Sequence, residues 1–195
     1  MKKNIGFFGG TFDPLHLGHI NLAIQLLEKT MLDEILFCPA MISPHKIDKP
    51  SLISPEHRLQ MIKLAIDKID RFSVSDIELR VKEVSYTVKT IEKLISMYPD
   101  ACFRLILAKD TAITFHTWKD FEKIMSLAPL LIGCADPESD RKSFSFPTEE
   151  KNLIQINQME MSSTEIRQRF LEKKYCGHLV PSKVLDYILK HRLYY

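Results

Sequence analysis

The chain has 195 residues, enough for one α/β domain. Its net charge of +2, without a basic stripe, disfavours nucleic acid as a partner. No apolar run approaches the roughly 18 residues of a membrane span, which disfavours a membrane partner too. The four cysteines lie far apart, with no CxxC pair that would indicate a thiolate zinc site, and a reduced, cytoplasmic protein is expected.

Short apolar runs alternate with segments of helical period along the chain. Strands are predicted at residues 5–8, 35–40, 72–74, 101–108, 130–134 and 152–157. Helices are predicted from residue 18, after Ser54-Pro55, at 86–98, around 121–128, from Ser162 and after Pro181. The polar segment 136–151 is predicted to be a loop. The alternation predicts a Rossmann-like, doubly wound parallel α/β sheet in a single domain, 1–195, with a small C-terminal helical part at 162–195.

The unusual polar residues follow the predicted strands. They are the segment 9–19, Pro44-His45-Lys46, Asp110 and the segment 162–167. Ligands of doubly wound sheets bind beyond the carboxyl ends of the strands, near the point where strand order reverses. Four polar clusters at one edge of the sheet therefore predict a binding site.

The first cluster contains two glycines and two histidines. Gly9 and Gly10 lack a Cβ and let backbone approach a ligand closely. His16 and His19 are three residues apart at a helix start, so their side chains can project the same way. Three interpretations are open: one capping and one packed histidine, two zinc ligands, or phosphate binding together with free N–H groups of the helix start. The accompanying glycines favour phosphate.

Two segments carry a resemblance to a known superfamily. Gly9-Gly10-Thr11-Phe12-Asp13-Pro14-Leu15-His16-Leu17-Gly18-His19 resembles the signature of the HxGH nucleotidyltransferases, and Met161-Ser162-Ser163-Thr164-Glu165-Ile166-Arg167 resembles their second signature, ISSTxIR. Pro44-His45-Lys46, Ser85-Tyr86-Thr87, Asp110 with Thr117-Trp118, and Val180-Pro181 are similar to bacterial nicotinate-nucleotide adenylyltransferases. That family transfers AMP from ATP to nicotinic acid mononucleotide in NAD biosynthesis, giving deamido-NAD and pyrophosphate, with magnesium.

The resemblance implies three groups of site residues. The catalytic group is His16, His19, Lys46 and Arg167. The ATP-binding group is Gly9, Gly10, Thr11, Phe12, Gly18, Asp110, Ser162, Ser163 and Thr164. The mononucleotide-binding group is Tyr86, Thr87 and Trp118. Magnesium is expected to arrive with ATP, and no residue is assigned as its ligand.

Three of these residues could have a purely structural role instead. Asp110 can be a helix N-cap, Arg167 a surface arginine and Trp118 a core anchor. The alternative functions are adenylyl transfer to nicotinamide mononucleotide or phosphopantetheine, and a non-catalytic nucleotide-binding relative. An oligomer is compatible with the sequence.

The chain also departs from the family pattern. Ala108 stands where glycine is usual, Ala135-Asp136-Pro137 replaces an arginine-proline-glycine, His116 replaces a common proline and Met161 replaces isoleucine. None of these changes removes a phosphate-binding residue. The loop 42–49 is a candidate lid.

Overall fold

The computed structural model describes residues 2–46 and 51–195, without the side chain of Lys46. The strands in this part of the chain are β1 (Lys3–Gly10), β2 (Glu34–Pro39), β3 (Phe72–Val74), β4 (Ala101–Ala108), β5 (Leu130–Cys134) and β6 (Leu153–Gln155). The helices are α1 (Leu17–Lys29), α2 (Pro55–Ile66), α3 (Thr87–Met97), α4 (Lys109–Ile113), α5 (Phe121–Leu127), α6 (Pro137–Arg141), α7 (Ser163–Leu171) and α8 (Ser182–Lys190). Short 3-10 helices occupy Pro44–Lys46, Phe115–Thr117 and Glu150–Asn152.

The strands form a six-stranded sheet in the order β3-β2-β1-β4-β5-β6. β1 pairs with β4, β4 with β5 and β5 with β6, each in parallel. This order is that of the Rossmann fold, and the strand order reverses between β1 and β4. The predicted parallel α/β fold is confirmed, and the segments after β1 and β4 begin at the switch point.

A proline in the first turn marks the start of α2, whereas α3, α4, α5 and α8 begin without a side-chain cap from the described residues. Ser54 is the N-cap of α2 with Pro55 in the first turn, and Tyr86 is the N-cap of α3. None of the helices in the described ranges is long and apolar enough to cross a membrane.

The prediction of a loop at 136–151 is wrong in part, because α6 lies inside it. Asp136 is the N-cap of α6, and its side chain accepts hydrogen bonds from the N–H groups of Glu138 and Ser139, at 3.2 and 3.4 Å. Pro137 follows in the first turn, where its missing N–H costs nothing. The departure at 135–137 thus supplies a helix start. The last strand, β6, is shorter than the predicted 152–157.

The chain divides into two compact units, each discontinuous in sequence. Unit 1 comprises 1–9, 22–36 and 86–158, and unit 2 comprises 10–21, 37–85 and 159–195. In unit 2, α2, α7, α8 and the C-terminus bury a common core that includes Met61, Ile166, Phe170, Val184 and Tyr194. The assignment of a single domain stays a prediction. The candidate lid 42–49 falls partly outside the described residues.

Candidate active site

The turn after β1 is built around a buried phenylalanine. Phe12 has a left-handed backbone, with φ at 50°, and its ring edge packs 5.1 Å from the His19 ring, centroid to centroid. A Cβ on Gly10 would lie 2.9 Å from Cζ of Phe12, so this position requires glycine. The predicted contact of Phe12 with ATP stays a prediction. Its side chain is 2% exposed and packs against the ring of His19.

The two histidines form one unit at the start of α1. Their ring centroids are 3.7 Å apart, and Nδ1 of His19 accepts a hydrogen bond from the N–H of His16 at 3.2 Å. A ring nitrogen that accepts carries no proton, so neutral His19 bears its proton on Nε2. Two imidazolium rings at this separation would repel each other. The pair is therefore suited to donate hydrogen bonds, with His19 in its neutral form.

The expectation of free N–H groups at the start of α1 is wrong. The N–H of Leu17 donates to the carbonyl of Leu179 at 2.9 Å, and the N–H of His19 donates to the carbonyl of His16 at 3.0 Å. The N–H of Gly18 points at Sδ of Met161, 3.1 Å away. Met161, which replaces the family's isoleucine, thus covers a donor that an anion would otherwise take. Phosphate recognition falls to side chains and to the second signature.

That second signature opens α7 and is bonded to the first. Ser162 is the N-cap, and its Oγ accepts from the N–H of Glu165 at 3.1 Å, which confirms the capping signal. Oγ of Ser163 donates to the carbonyl of Pro14 at 2.9 Å. In the part of the chain that the structure describes, no acceptor faces the N–H groups of Ser163 and Thr164. This helix start offers the donors that α1 does not.

Arg167 joins the two signatures. Its Nη1 donates to the carbonyl of Asp13 at 2.7 Å, and its Nη2 donates to Oγ1 of Thr164 at 3.2 Å. The guanidinium is half-buried. Arg167 is thus hydrogen-bonded to the first signature, and its role at the phosphates stays a prediction.

The cap of α7 gives a stability prediction. Ser162→Ala removes the acceptor for the N–H of Glu165, and we expect the free energy of unfolding to fall by about 1 kcal/mol. Urea denaturation measures the change. Ser96→Ala, at an exposed position inside α3, is the control and is expected to shift stability by less than about 0.5 kcal/mol. Equal effects from both variants would contradict the capping role.

A separate cluster in unit 1 contains the three residues predicted to bind the mononucleotide. Trp118 follows the 3-10 helix Phe115–Thr117, and its ring lies 5.3 Å from the ring of Phe115 at a steep angle. Tyr86 caps α3, of which Thr87 is the first residue. Nζ of Lys119 lies 4.8 Å from the centroid of the Tyr86 ring. The fold thus brings the segment after Phe115 to the start of α3.

Trp118 is half-buried, and its ring packs against the ring of Phe115. Phe115 in turn contacts Phe121 and Phe146, which makes it the centre of an aromatic cluster. Phe115 is fully buried, and the role of Trp118 at the mononucleotide stays a prediction.

Asp110, also in unit 1, is exposed in the first turn of α4. It is not the N-cap, which is Ala108, so that alternative is wrong. Its Oδ1 accepts from the N–H of Thr111 at 2.7 Å. Next to it, Nζ of Lys109 donates to the buried carboxylate of Asp140 at 2.5 Å. Burial acts to raise the pKa of Asp140, but the hydrogen bond and charge of Lys109 and the backbone hydrogen bonds from Asp136 and Ala135 together outweigh it, and the pKa is lowered.

Two further predicted site residues are Gly9 and Lys46. Gly9 lies in β1, one residue before its end. Lys46 ends the 3-10 helix Pro44–Lys46, but its side chain lies outside the described residues, so its catalytic role stays a prediction.

Sequence reasoning missed four residues that the geometry makes important. Lys119 places a cation beside Tyr86, and its position directly after Trp118 was the only available signal. Asp13, Arg58 and Tyr194 form a buried network around the first signature, described below. No local pattern links these three, because they lie in distant parts of the chain.

Comparisons with known proteins show the family of the chain. The model of the cytidylyltransferase-like family matches residues 7–169. The chain is 34% identical to the probable nicotinate-nucleotide adenylyltransferase of Oceanobacillus iheyensis over 98% of this chain and 97% of the relative. It is 36% identical to that of Carboxydothermus hydrogenoformans, covering 97% of both chains.

Solved structures share the fold at lower identity. Plasmodium falciparum nicotinic acid mononucleotide adenylyltransferase, complexed with NaAD, aligns with a TM-score of 0.77 and 23% identity, covering 98% of this chain and 97% of that one. The Vibrio parahaemolyticus structure described as a putative nicotinate-nucleotide adenylyltransferase aligns with a TM-score of 0.72 and 22% identity, covering 98% and 95%. The chain belongs to the cytidylyltransferase-like family and, within it, to the nicotinate-nucleotide adenylyltransferases.

Proposed function

We infer that this protein transfers AMP from ATP to nicotinic acid mononucleotide, releasing pyrophosphate and forming the deamido precursor of NAD. Family membership over the full chain supports the activity. In the structure, the activity is supported by hydrogen bonds between the two signatures. Ser163 donates to the carbonyl of Pro14, and Arg167 donates to the carbonyl of Asp13.

The chemistry asks for charge stabilisation more than for a base. The mononucleotide phosphate has a second pKa of about 6 and is already an anionic nucleophile near neutral pH. An oxygen of this phosphate forms a bond to the α-phosphorus of ATP, and the bond from that phosphorus to the β-phosphate oxygen breaks. Pyrophosphate leaves with the electron pair. Positioned donors and cations lower the barrier by stabilising the charge that develops.

The residues of unit 2 match that requirement. We propose that Nε2 of His19 donates to the transferring phosphate and that His16 serves the neighbouring phosphates. Arg167 and the N–H groups of Ser163 and Thr164 receive the triphosphate. Lys46 is proposed to stabilise the leaving pyrophosphate. Asp110 and Gly9, of unit 1, are proposed to contact the adenosine side, with Asp110 accepting from ribose hydroxyls.

Magnesium is proposed to enter with ATP. The carboxylate of Asp13, the only one in the first signature, is 3% exposed and already accepts from the hydroxyl of Tyr194 and the N–H of Leu52. We therefore do not propose it as a ligand for the ion, and phosphate oxygens and water would supply the coordination. The bound ion would neutralise charge on the phosphates.

The cluster around Trp118 is proposed to hold the nicotinate ring. Half-buried Trp118 is proposed to stack on the ring, and Tyr86, which Lys119 contacts, and the neighbouring Thr87 are proposed to line the same pocket. The cation of Lys119 and the N-terminal end of α3 both favour an anionic ring substituent. A pocket built for a carboxylate would place donors opposite the NH₂ of the amide analogue, and so would reject it.

One assay tests the function. The protein is mixed with MgATP and, in turn, nicotinic acid mononucleotide, nicotinamide mononucleotide or phosphopantetheine, and pyrophosphate release is followed. We expect release with the first acceptor. Release only with another acceptor would reassign the substrate, and release with none would identify a nucleotide-binding protein without this activity.

Trp118→Ala tests the acceptor pocket. We expect KM for the mononucleotide to rise by about tenfold, the scale of a lost base–aromatic stacking contact, while KM for ATP stays within about twofold. Steady-state kinetics with each substrate varied in turn measure both constants. Trp118→Phe, which keeps an aromatic face, should recover most of the loss. An unchanged KM for the mononucleotide in the alanine variant would make Trp118 a structural residue only.

A further inference from the structure

The carboxylate of Asp13 is buried in the turn that carries the first signature. Its Oδ1 accepts from the hydroxyl of Tyr194 at 2.7 Å, and its Oδ2 accepts from the N–H of Leu52 at 3.1 Å. A buried carboxylate needs such partners, because losing water without replacing its hydrogen bonds is costly. Asp13 therefore holds the turn in place.

Arg58, on α2, supplies the compensating charge and fixes the backbone. Its side chain is 0% exposed. Its Nη1 donates to the carbonyl of Thr11 at 2.7 Å and its Nη2 to that of Met41 at 3.3 Å. Burial lowers the pKa of Arg58, while the negative charge of Asp13 opposes that shift. Together with Arg167 on the carbonyl of Asp13, two arginines and a carboxylate hold residues 11–13.

Tyr194, the second-last residue, connects this turn to the C-terminal core. Its ring stacks on Phe170 at 5.9 Å, and the residue is 6% exposed. Burial and the neighbouring charge of Asp13 raise the pKa of Tyr194, so the hydroxyl keeps its proton and donates. The packing of α7 and α8 thus decides where the donor for Asp13 lies.

We propose that Tyr194 is a positioning residue for adenylyl transfer, acting through Asp13. Its hydroxyl orients the Asp13 carboxylate, which holds the turn at residues 11–13, called the bend below. The bend in turn places Phe12 against the His19 ring. A displaced bend moves His19 away from the transferring phosphate. The proposal rests on the proposed function, because it assigns His19 the role given above.

The test removes one hydroxyl. Tyr194→Phe keeps the ring in the core and removes the donor to Asp13, and we expect kcat to fall by about tenfold, the scale of a hydrogen bond to a charged group expressed in the barrier. KM for the mononucleotide should change less than about twofold, because the Trp118 cluster contains neither residue. Kinetics are measured well below the melting temperature of each variant, so that all are fully folded.

Two matched controls remove a tyrosine hydroxyl from the same segment. Tyr195→Phe alters the neighbouring exposed residue, and Tyr187→Phe removes the hydroxyl that contacts Nδ1 of His57 at 2.8 Å. Both are expected to keep kcat within about twofold of the wild type. An equal loss in these variants would show a general effect of the C-terminal segment and would overturn the proposal.

A double-mutant cycle then tests the route through Asp13. Alanine at position 13 has no acceptor for the Tyr194 hydroxyl, so if Tyr194 acts only through that carboxylate, Asp13→Ala and the double variant Asp13→Ala/Tyr194→Phe have equal kcat within about twofold. If the loss of kcat in the double variant equals the product of the two single losses, or if Tyr194→Phe has the wild-type kcat, the proposal is overturned.

A binding measurement separates this proposal from the proposed function. If the wild-type protein releases no pyrophosphate with any acceptor, the proposed function fails, and the affinity for a non-hydrolysable ATP analogue becomes the readout. Weaker binding in Tyr194→Phe but not in Tyr195→Phe would support a role of Tyr194 at the phosphate site. Equal binding in both would overturn it.

Discussion

Replacing His19 with alanine lowers kcat by at least about 10²-fold, the scale of losing one preorganised transition-state donor. The hydrogen bond from the N–H of His16 to Nδ1 of His19 leaves Nε2 as the donor, and Phe12 fixes the ring from its edge. Alanine removes the donor and leaves the helix start otherwise formed. Pyrophosphate release under saturating ATP and mononucleotide measures the loss.

Two further substitutions separate donation from capping. Asparagine at position 19 can still accept from the N–H of His16 but has no donor at the position of Nε2, so His19→Asn should be as slow as the alanine variant. Glutamine reaches further and should recover part of the rate. His178→Ala, an exposed histidine of the same unit, is the control and should leave kcat unchanged. Wild-type turnover in a folded His19→Asn protein would mean that His19 only accepts the N–H of His16 at the start of α1 and donates nothing to the phosphate.

Arg167→Ala should lower kcat/KM for ATP by about 10²-fold, which corresponds to about 2.7 kcal/mol. Two effects combine in this value. The variant loses a cation at the phosphate site, and it loses the bond from Nη1 to the carbonyl of Asp13 that ties α7 to the first signature. Initial rates at varied ATP concentration measure kcat/KM.

The neighbouring arginine of α7 provides a matched control. Arg169 donates to the carbonyl of Tyr175 at 2.9 Å, away from the first signature, so Arg169→Ala should keep kcat/KM for ATP within about twofold. Arg167→Lys keeps the charge but not the forked geometry, and an intermediate loss is expected. Comparable losses in the alanine variants of both arginines would mean that the integrity of α7 matters, and would remove Arg167 from the catalytic group.

The sequence was sufficient for features that depend on residues close together in the chain. Apolar periodicity predicted the strands and most helices, because each element shows its buried face in its own residues. The spacing of Ser162 and Glu165 predicted the start of α7, and the structure contains the N-cap hydrogen bond from the N–H of Glu165 to Ser162. Asp136-Pro137 is a helix-start signal of the same kind for α6. It was not used in the prediction because the segment is polar and resembles a loop.

Features that depend on long-range partners were decided by the tertiary structure. The donors at the start of α1 look available in sequence, yet Leu179 and Met161, far along the chain, cover two of them. Asp13 is a charged residue of the first signature, but the fold buries its carboxylate against the hydroxyl of Tyr194. A cap or a period is set by local backbone geometry, whereas the partner of a buried polar group is set by which distant segments pack together. The sequence determined the fold class and the two signatures, and the tertiary structure decided which of their polar groups face a ligand.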